Sequence, residues 1–167
     1  MNFWIINHYA VPPEFHSGTR HFDLAKGLQE VYNSKVLIFA SNFSHFSFKY
    51  FFEIDKKFDY LKKNFDGVDF YFFYTPSYKG NGILRLYNML YFALSIYRNS
   101  LKISQIEFVP DIVIGSSVHP FAALSAYFIT KKLRKKYKKD IKFVFEERDL
   151  WPQFFYKKKD WKMLKNI

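Results

Sequence analysis

A chain of 167 residues without cysteine suits one domain with a sizeable core, and it excludes disulfides and cysteine-ligated metal sites. Aromatic residues make up 23%, with 22 Phe and 13 Tyr, and the formal net charge is +11. Unless compositional bias of the source genome accounts for it, that balance favours nucleic acid, phosphorylated substrates or an anionic membrane surface.

In chain order, residues 3–7 (Phe3, Trp4, Ile5, Ile6, Asn7) read as a short buried strand. The run is short, has no basic leader and is followed by polar residues, so it is read as a strand and not a secretory signal. A polar, proline-bearing loop fills residues 8–18. Residues 19–31 carry helical spacing, with Phe22, Leu24, Ala25 and Leu28 apolar and Arg20, Asp23, Lys26 and Glu30 polar. Ser17 or Thr19 is the candidate cap. Residues 35–40 form a second buried strand. Residues 41–65 mix aromatics such as Phe43, Phe46 and Tyr50 with lysine pairs at 56–57 and 62–63; a long excursion with some helix is expected there.

A third strand spans 68–74, and Gly80, Asn81 and Gly82 punctuate the chain after it. Residues 83–106 form a long helix, apolar around much of its circumference, with Arg85, Arg98 and Lys102 as its charges. A fourth strand at 112–116 ends in small residues. Residues 120–136 are helical, with Pro120 well placed in the first turn. A fifth strand at 142–146 runs into Glu147, Arg148 and Asp149, and a basic, aromatic tail follows Gln153. No stretch reaches about 18 uninterrupted apolar residues, so no transmembrane helix is expected.

Strands apolar on both faces, alternating with helices, imply a parallel sheet covered on both sides. Right-handed crossovers make it a Rossmann-like, doubly wound α/β fold of at least five strands in one domain, residues 1–167. Ligands bind such sheets beyond the carboxyl ends of the strands, near the point where strand order reverses. Polar clusters fall at those exits: Asn7 and His8, then Ser116, Ser117 and His119, then Glu147, Arg148 and Asp149.

Each cluster has two readings. The first loop, with Ser17, Gly18 and Arg20, is either an anion-holding helix start or an ordinary turn; it matches neither the dinucleotide fingerprint nor the P-loop. His119, like His8, is either structural or ligand-facing. The charges at 146–149 are either a site or a loop-fixing cluster. Residues 131–139 hold seven basic residues in nine, either a solvated helix end or an anionic patch. No nucleic-acid-binding signature accompanies it, so lipid phosphate ranks above nucleic acid. No serine–histidine–aspartate triad and no metal-ligand spacing is assigned.

The opening strand with Asn7, His8 and Tyr9, the loop Pro12-Pro13 to Ser17-Gly18-Thr19-Arg20, Ser116-Ser117-Val118-His119-Pro120 and the string Arg148-Asp149-Leu150-Trp151-Pro152 together resemble the N-terminal domain of family 4 glycosyltransferases of the bacterial polysaccharide and O-antigen type. The resemblance spans nearly the whole chain, with little contributed by 46–82. It implies the acceptor-side half of an enzyme with two Rossmann-like domains. Such an enzyme moves a sugar from a nucleotide-sugar donor, with retention and without a metal, to a surface-polysaccharide or lipid-linked oligosaccharide acceptor. His119 then lines the reaction centre as the catalytic position. His8, Ser17, Gly18, Arg20, Ser117, Arg148 and Asp149 then line the cleft for acceptor and donor diphosphate. The family loop often carries two glycines where this chain has Gly18 alone.

The resemblance places the nucleotide site on a C-terminal domain that the 167 residues do not include. It must come from further chain or a partner chain, and the chain alone is expected to have little or no transferase activity. A cytoplasmic location, peripheral on the inner face of the cell membrane, is implied, with 43–63 and 131–139 as contacts. The alternatives are a non-catalytic acceptor-binding or membrane-recruiting subunit, and a generic nucleotide- or nucleic-acid-binding α/β module.

Overall fold

The computed structural model describes residues 1–15, 18–54, 60–117 and 119–148. Its elements run β1 (Asn2–Ile6), a 3-10 turn (Pro13–Phe15), α1 (Arg20–Tyr32), β2 (Lys35–Ser41), β3 (Tyr60–Phe65), β4 (Val68–Phe73), α2 (Ile83–Ile106), β5 (Ile112–Ser117), α3 (Pro120–Tyr137) and β6 (Lys142–Glu147). The strands form one mixed sheet in the order β3-β4-β2-β1-β5-β6. Only the β3–β4 pair is antiparallel; the other pairs are parallel.

Chain order reverses between β1 and β5. The α1 crossover carries the chain from β1 to β2 on one face; α2 and α3 carry it back on the other. The apolar strands are buried on both sides as a consequence. Trp4, Ile6, Phe39 and Phe73 pack with Phe92 and Ile96 of α2 and Ala126 and Ile129 of α3. Phe3, Ile5, Ile38 and Phe72 pack with Phe22 and Ala25 of α1. Each fully buried side chain of this size contributes about 1.5–3 kcal/mol. The α/β, doubly wound expectation is thereby met, with six strands.

The described residues of 41–65, which are 41–54 and 60–65, contain no helix, unlike the expected partly helical excursion. Among the described residues this stretch has an isolated antiparallel bridge, Phe43 to Tyr50, and the edge strand β3. Asp66 and Gly67, at φ 44° and 82°, turn β3 into β4 through a two-residue hairpin, the loop that suits the twist of paired strands. The aromatics explain the packing. Phe65 is buried against Phe70 and Phe72, and Phe51 and Phe52 lie on the same cluster. Lys62 ties β3 down by ion pairs to Asp69 at 3.0 Å and Glu107 at 2.7 Å.

The small residues ending β5 set how closely α3 approaches. A Cβ on Gly115 would lie 2.7 Å from Ala126 Cβ and 3.1 Å from the Ala123 backbone. Glycine is required there by contact, not by backbone angle. The basic run at the end of α3 is partly structural. Lys132 donates to the Tyr97 carbonyl at 2.7 Å and sits over the Tyr97 ring. Arg134 donates to the Ile141 carbonyl at 2.6 Å. Lys139 pairs with Asp111 at 2.7 Å. Lys135 and Lys136 remain exposed.

Candidate functional site

The pleat sends successive residues to opposite faces, and this sorts the polar residues at the carboxyl edge into two groups. Asn7, Ser116 and Glu146 follow Ile5, Ile114 and Val144 onto the α1 face. His8, Ser117 and Glu147 follow Ile6, Gly115 and Phe145 onto the α2–α3 face.

The α1 face holds a connected network. Asn7 Nδ2 donates to Ser116 Oγ at 2.9 Å and lies 3.3 Å from His21 Nε2. His21 Nε2 contacts Glu146 Oε2 at 2.8 Å, and Arg20 pairs with Glu146 Oε1 at 2.7 Å. Nε2 therefore carries the hydrogen that it gives to the carboxylate. Burial lowers the His21 pKa and outweighs the carboxylate beside it. Burial pushes Glu146 up, but hydrogen bonds from His21 and Ser116 and the Arg20 charge hold it below its ordinary range. Thr19 stands at the α1 cap position without a capping bond, and its hydroxyl donates to Asp23 at 2.6 Å instead.

The α2–α3 face is built differently. His119 caps α3, its Nδ1 accepting from Ala122 N–H at 3.4 Å, with Pro120 in the first turn. An accepting Nδ1 leaves the hydrogen on Nε2, which donates to His8 Nδ1 at 3.0 Å across the point where strand order reverses. His8 then carries its hydrogen on Nε2, facing Asn88. The Asn88 amide nitrogen is committed to Thr75 and Pro76, so Oδ1 is the acceptor there. Both atoms are buried without a closed hydrogen bond. His8 is lowered well below its ordinary value by burial and by the neighbouring His119. His119 is lowered to about 4 by burial and the Arg85 charge. Both rings are neutral at physiological pH. Among the described residues, no group of three or more histidines and carboxylates converges as metal ligands would.

Beside this pair a cavity of about 910 Å³ opens between the starts of α2 and α3 and the ends of β5 and β6. Its walls are mostly carbon, from Leu86, Met89, Leu124, Tyr127, Phe143 and Phe145, with Asn81, Arg85, Ser117, His119 and Glu147 as polar groups. Arg85 Nη1 donates to Asn81 Oδ1, and the guanidinium stands 6.0 Å from the Tyr9 ring centre. Arg85 Nε is buried without a partner. Among the described residues no ion pair involves Arg85.

The structure thus divides the residues singled out in the sequence. His119 and Ser117 line the cavity, and His8 supports His119 from beneath. Arg20 is engaged with Glu146 on the opposite face. Gly18 is exposed, and a Cβ there meets nothing within 4 Å, so packing does not demand glycine. Arg148 is exposed, and its N–H donates to Ser117 Oγ at 3.1 Å. Ser17 and Asp149 lie outside the described residues. Sequence reasoning passed over His21, and noted Arg85 only as a charge on an apolar helix. A signal for Arg85 existed: a lone cation in the first turn of a helix opposes the macrodipole.

No family model matches this chain, and no curated protein matches it.

Proposed function

We propose that these residues form the acceptor-binding side of a retaining glycosyltransferase. In this reading the enzyme moves a sugar from a nucleotide-sugar to a surface-polysaccharide or lipid-linked oligosaccharide acceptor, and the donor is held by a second domain or partner chain. The observation that carries the reading is the open cavity at the carboxyl ends of β5 and β6, where His119 and Ser117 meet beside the strand-order reversal. That is where an open α/β sheet receives its ligand, and where the resemblance sets the reaction centre.

His119 acts in this reading as a neutral positioning ring at the reaction centre. With a pKa of about 4 it is not a cation at neutral pH, and both of its nitrogens are engaged within the protein, by Ala122 and His8. It therefore holds the start of α3 and the cavity wall in place and does not donate to the ligand. The test is turnover. The chain alone is expected to transfer no sugar; joined to its donor-binding domain it is expected to do so, and His119→Ala then lowers kcat by about 100-fold. Robust transfer by the chain alone would overturn the half-enzyme reading.

Peripheral contact with an anionic membrane, on the cytoplasmic side, is favoured by one specific pattern. Ile83, Tyr87, Leu90, Leu94 and Tyr97 are exposed at alternating four- and three-residue spacing along α2, with exposed Lys135 and Lys136 at the end of the neighbouring helix. An apolar helical stripe beside cations suits an anionic interface. No described helix is long and apolar enough to cross a membrane. Vesicle flotation checks the contact: binding is expected with anionic lipid and is lost with neutral lipid. Equal binding to both would remove the electrostatic part.

A further inference from the structure

The cavity between α2 and α3 is walled mostly by carbon, and much of that carbon is left in water: Leu124, Tyr127 and Phe145 are 50%, 41% and 53% exposed. Apolar surface gathered in one hollow marks a place of contact. Arg85 and Glu147 both line it, so neither sign of charge is favoured there. What selects an occupant is the path of the chain. Glu147, at the end of β6, lines the cavity, and Arg148 then donates its N–H to Ser117 Oγ at 3.1 Å. Ser117 lines the cavity too. The chain therefore leaves the described residues at the rim of the hollow, fastened across the end of β5. The residues that follow are strongly apolar. Leu150, Trp151, Phe154, Phe155 and Tyr156 stand ahead of the lysines at 157–159. The first four are spaced i, i+1, i+4 and i+5, which gathers side chains on one helical face. Three residues span at most about 10 Å, so Trp151 stays close to the cavity. A segment held this near has an effective concentration of about millimolar. A second copy at micromolar concentration competes poorly against that, and a formal charge of +11 on each chain also repels it.

We propose that residues 150–156 cover this cavity in their own chain, with Trp151, Phe154 and Phe155 against Leu86, Leu124 and Tyr127. Buried aromatic side chains each remove about 150–250 Å² from water, and the wall they cover is dried at the same time. The lysines at 157–159 keep their charges in water beyond the rim. The segment and any ligand of the same walls exclude each other, so a ligand enters only by displacing it. The contact does not rest on the glycosyltransferase reading. Turnover tests that reading, and the shielding of Trp151 tests this one, so the two fail separately.

The test is acrylamide quenching of tryptophan fluorescence in the 167-residue chain carrying Trp161→Phe. Of the three tryptophans, Trp4, which is fully buried, and Trp151 then remain. Both are expected to be shielded from the quencher. Leu124→Asp puts a charge into the wall at a half-exposed position, where folding tolerates substitution, and is expected to raise quenching several-fold. Tyr127→Asp makes the same change on the same wall and serves if the first variant misfolds. Phe128→Asp, one turn past Leu124 on α3 and outside the cavity lining, is expected to change nothing. A Trp151 that is freely quenched before the cavity is altered overturns the proposal. Shielding that survives both wall variants puts the segment elsewhere and overturns it as well, as does equal release by Phe128→Asp. Shielding that is lost on dilution to nanomolar protein makes the occupant a second copy, which equally overturns it.

Discussion

On the α1 side of the carboxyl edge, Arg20, His21, Asn7, Ser116 and Glu146 meet one another, and the carboxylate has two cationic or polar partners within 2.8 Å. On the α2–α3 side, a few ångströms of sheet away, Arg85 is in no ion pair among the described residues, His8 Nε2 and Asn88 Oδ1 have no closed hydrogen bond, and a cavity stands open. Both groups grow from the same three strand ends, where parity sorts the strand residues, and each is completed by the helices on its own face: Arg20 and His21 from α1, Arg85 and Asn88 from α2. Buried polar groups are satisfied almost everywhere in folded proteins, so the satisfied side reads as a fastening and the unsatisfied side as a place kept for something else.

Four measurements can break or sharpen that contrast. The largest effect is expected from Gly115→Val, beneath the open side. Its side chain would meet Ala126 and the Ala123 backbone, and overpacking of this kind costs about 3 kcal/mol. A thermal melt unchanged from wild type would show that α3 is free to shift and that the cavity wall is soft.

Next is Glu146→Ala on the closed side. It strands His21 and removes the anchor of Arg20, at about 2 kcal/mol by denaturant titration. No loss would mean that the network fastens nothing.

The third is acid sensitivity. His119 takes up a proton near 6.5 when unfolded but only near 4 when folded. Between those values the unfolded state binds more protons, so stability falls as pH drops. The slope expected from this histidine is roughly 1.4 kcal/mol per pH unit. His119→Asn keeps a helix-capping side chain and is expected to reduce the slope over that window by about that amount, leaving the part due to the other lowered histidines, His8 and His21. An unaltered slope in chemical denaturation at pH 7, 6 and 5 would put the acid sensitivity elsewhere.

The smallest effect is expected from Arg85→Gln. On the open side, with no ion-paired carboxylate among the described residues to leave behind, it should change stability by less than about 0.5 kcal/mol or raise it. A loss matching that of Glu146→Ala would erase the distinction between the two sides.

Much of this was legible in residue patterns. The buried strands, the helix at 83–106 and the clustering of polar residues at strand exits follow from periodicity and from the rule for open sheets. The hairpin at Asp66 and Gly67 carried a turn signal, but β3 is an edge strand whose outer residues are lysines and asparagine, so its alternation was hidden. The partners inside the site were not legible. Glu146 meets His21 across 125 positions and His8 meets His119 across 111; packing brings them together, and nothing local announces it. The same holds for Arg85, whose setting is made by α2 lying beside α3.

The hydrogens running from Ala122 through His119 to His8 all point one way. Each donor in that row fixes the acceptor of the next, so no ring can change its tautomer while its neighbour keeps its own. The two imidazoles therefore behave as one object, and because the Ala122 backbone N–H can only donate, that object has one orientation. The first turn of α3 thus sets which hydrogen His8 presents, two residues past the end of β1. Nitrogen chemical shifts showing both rings protonated at Nε2 are its signature.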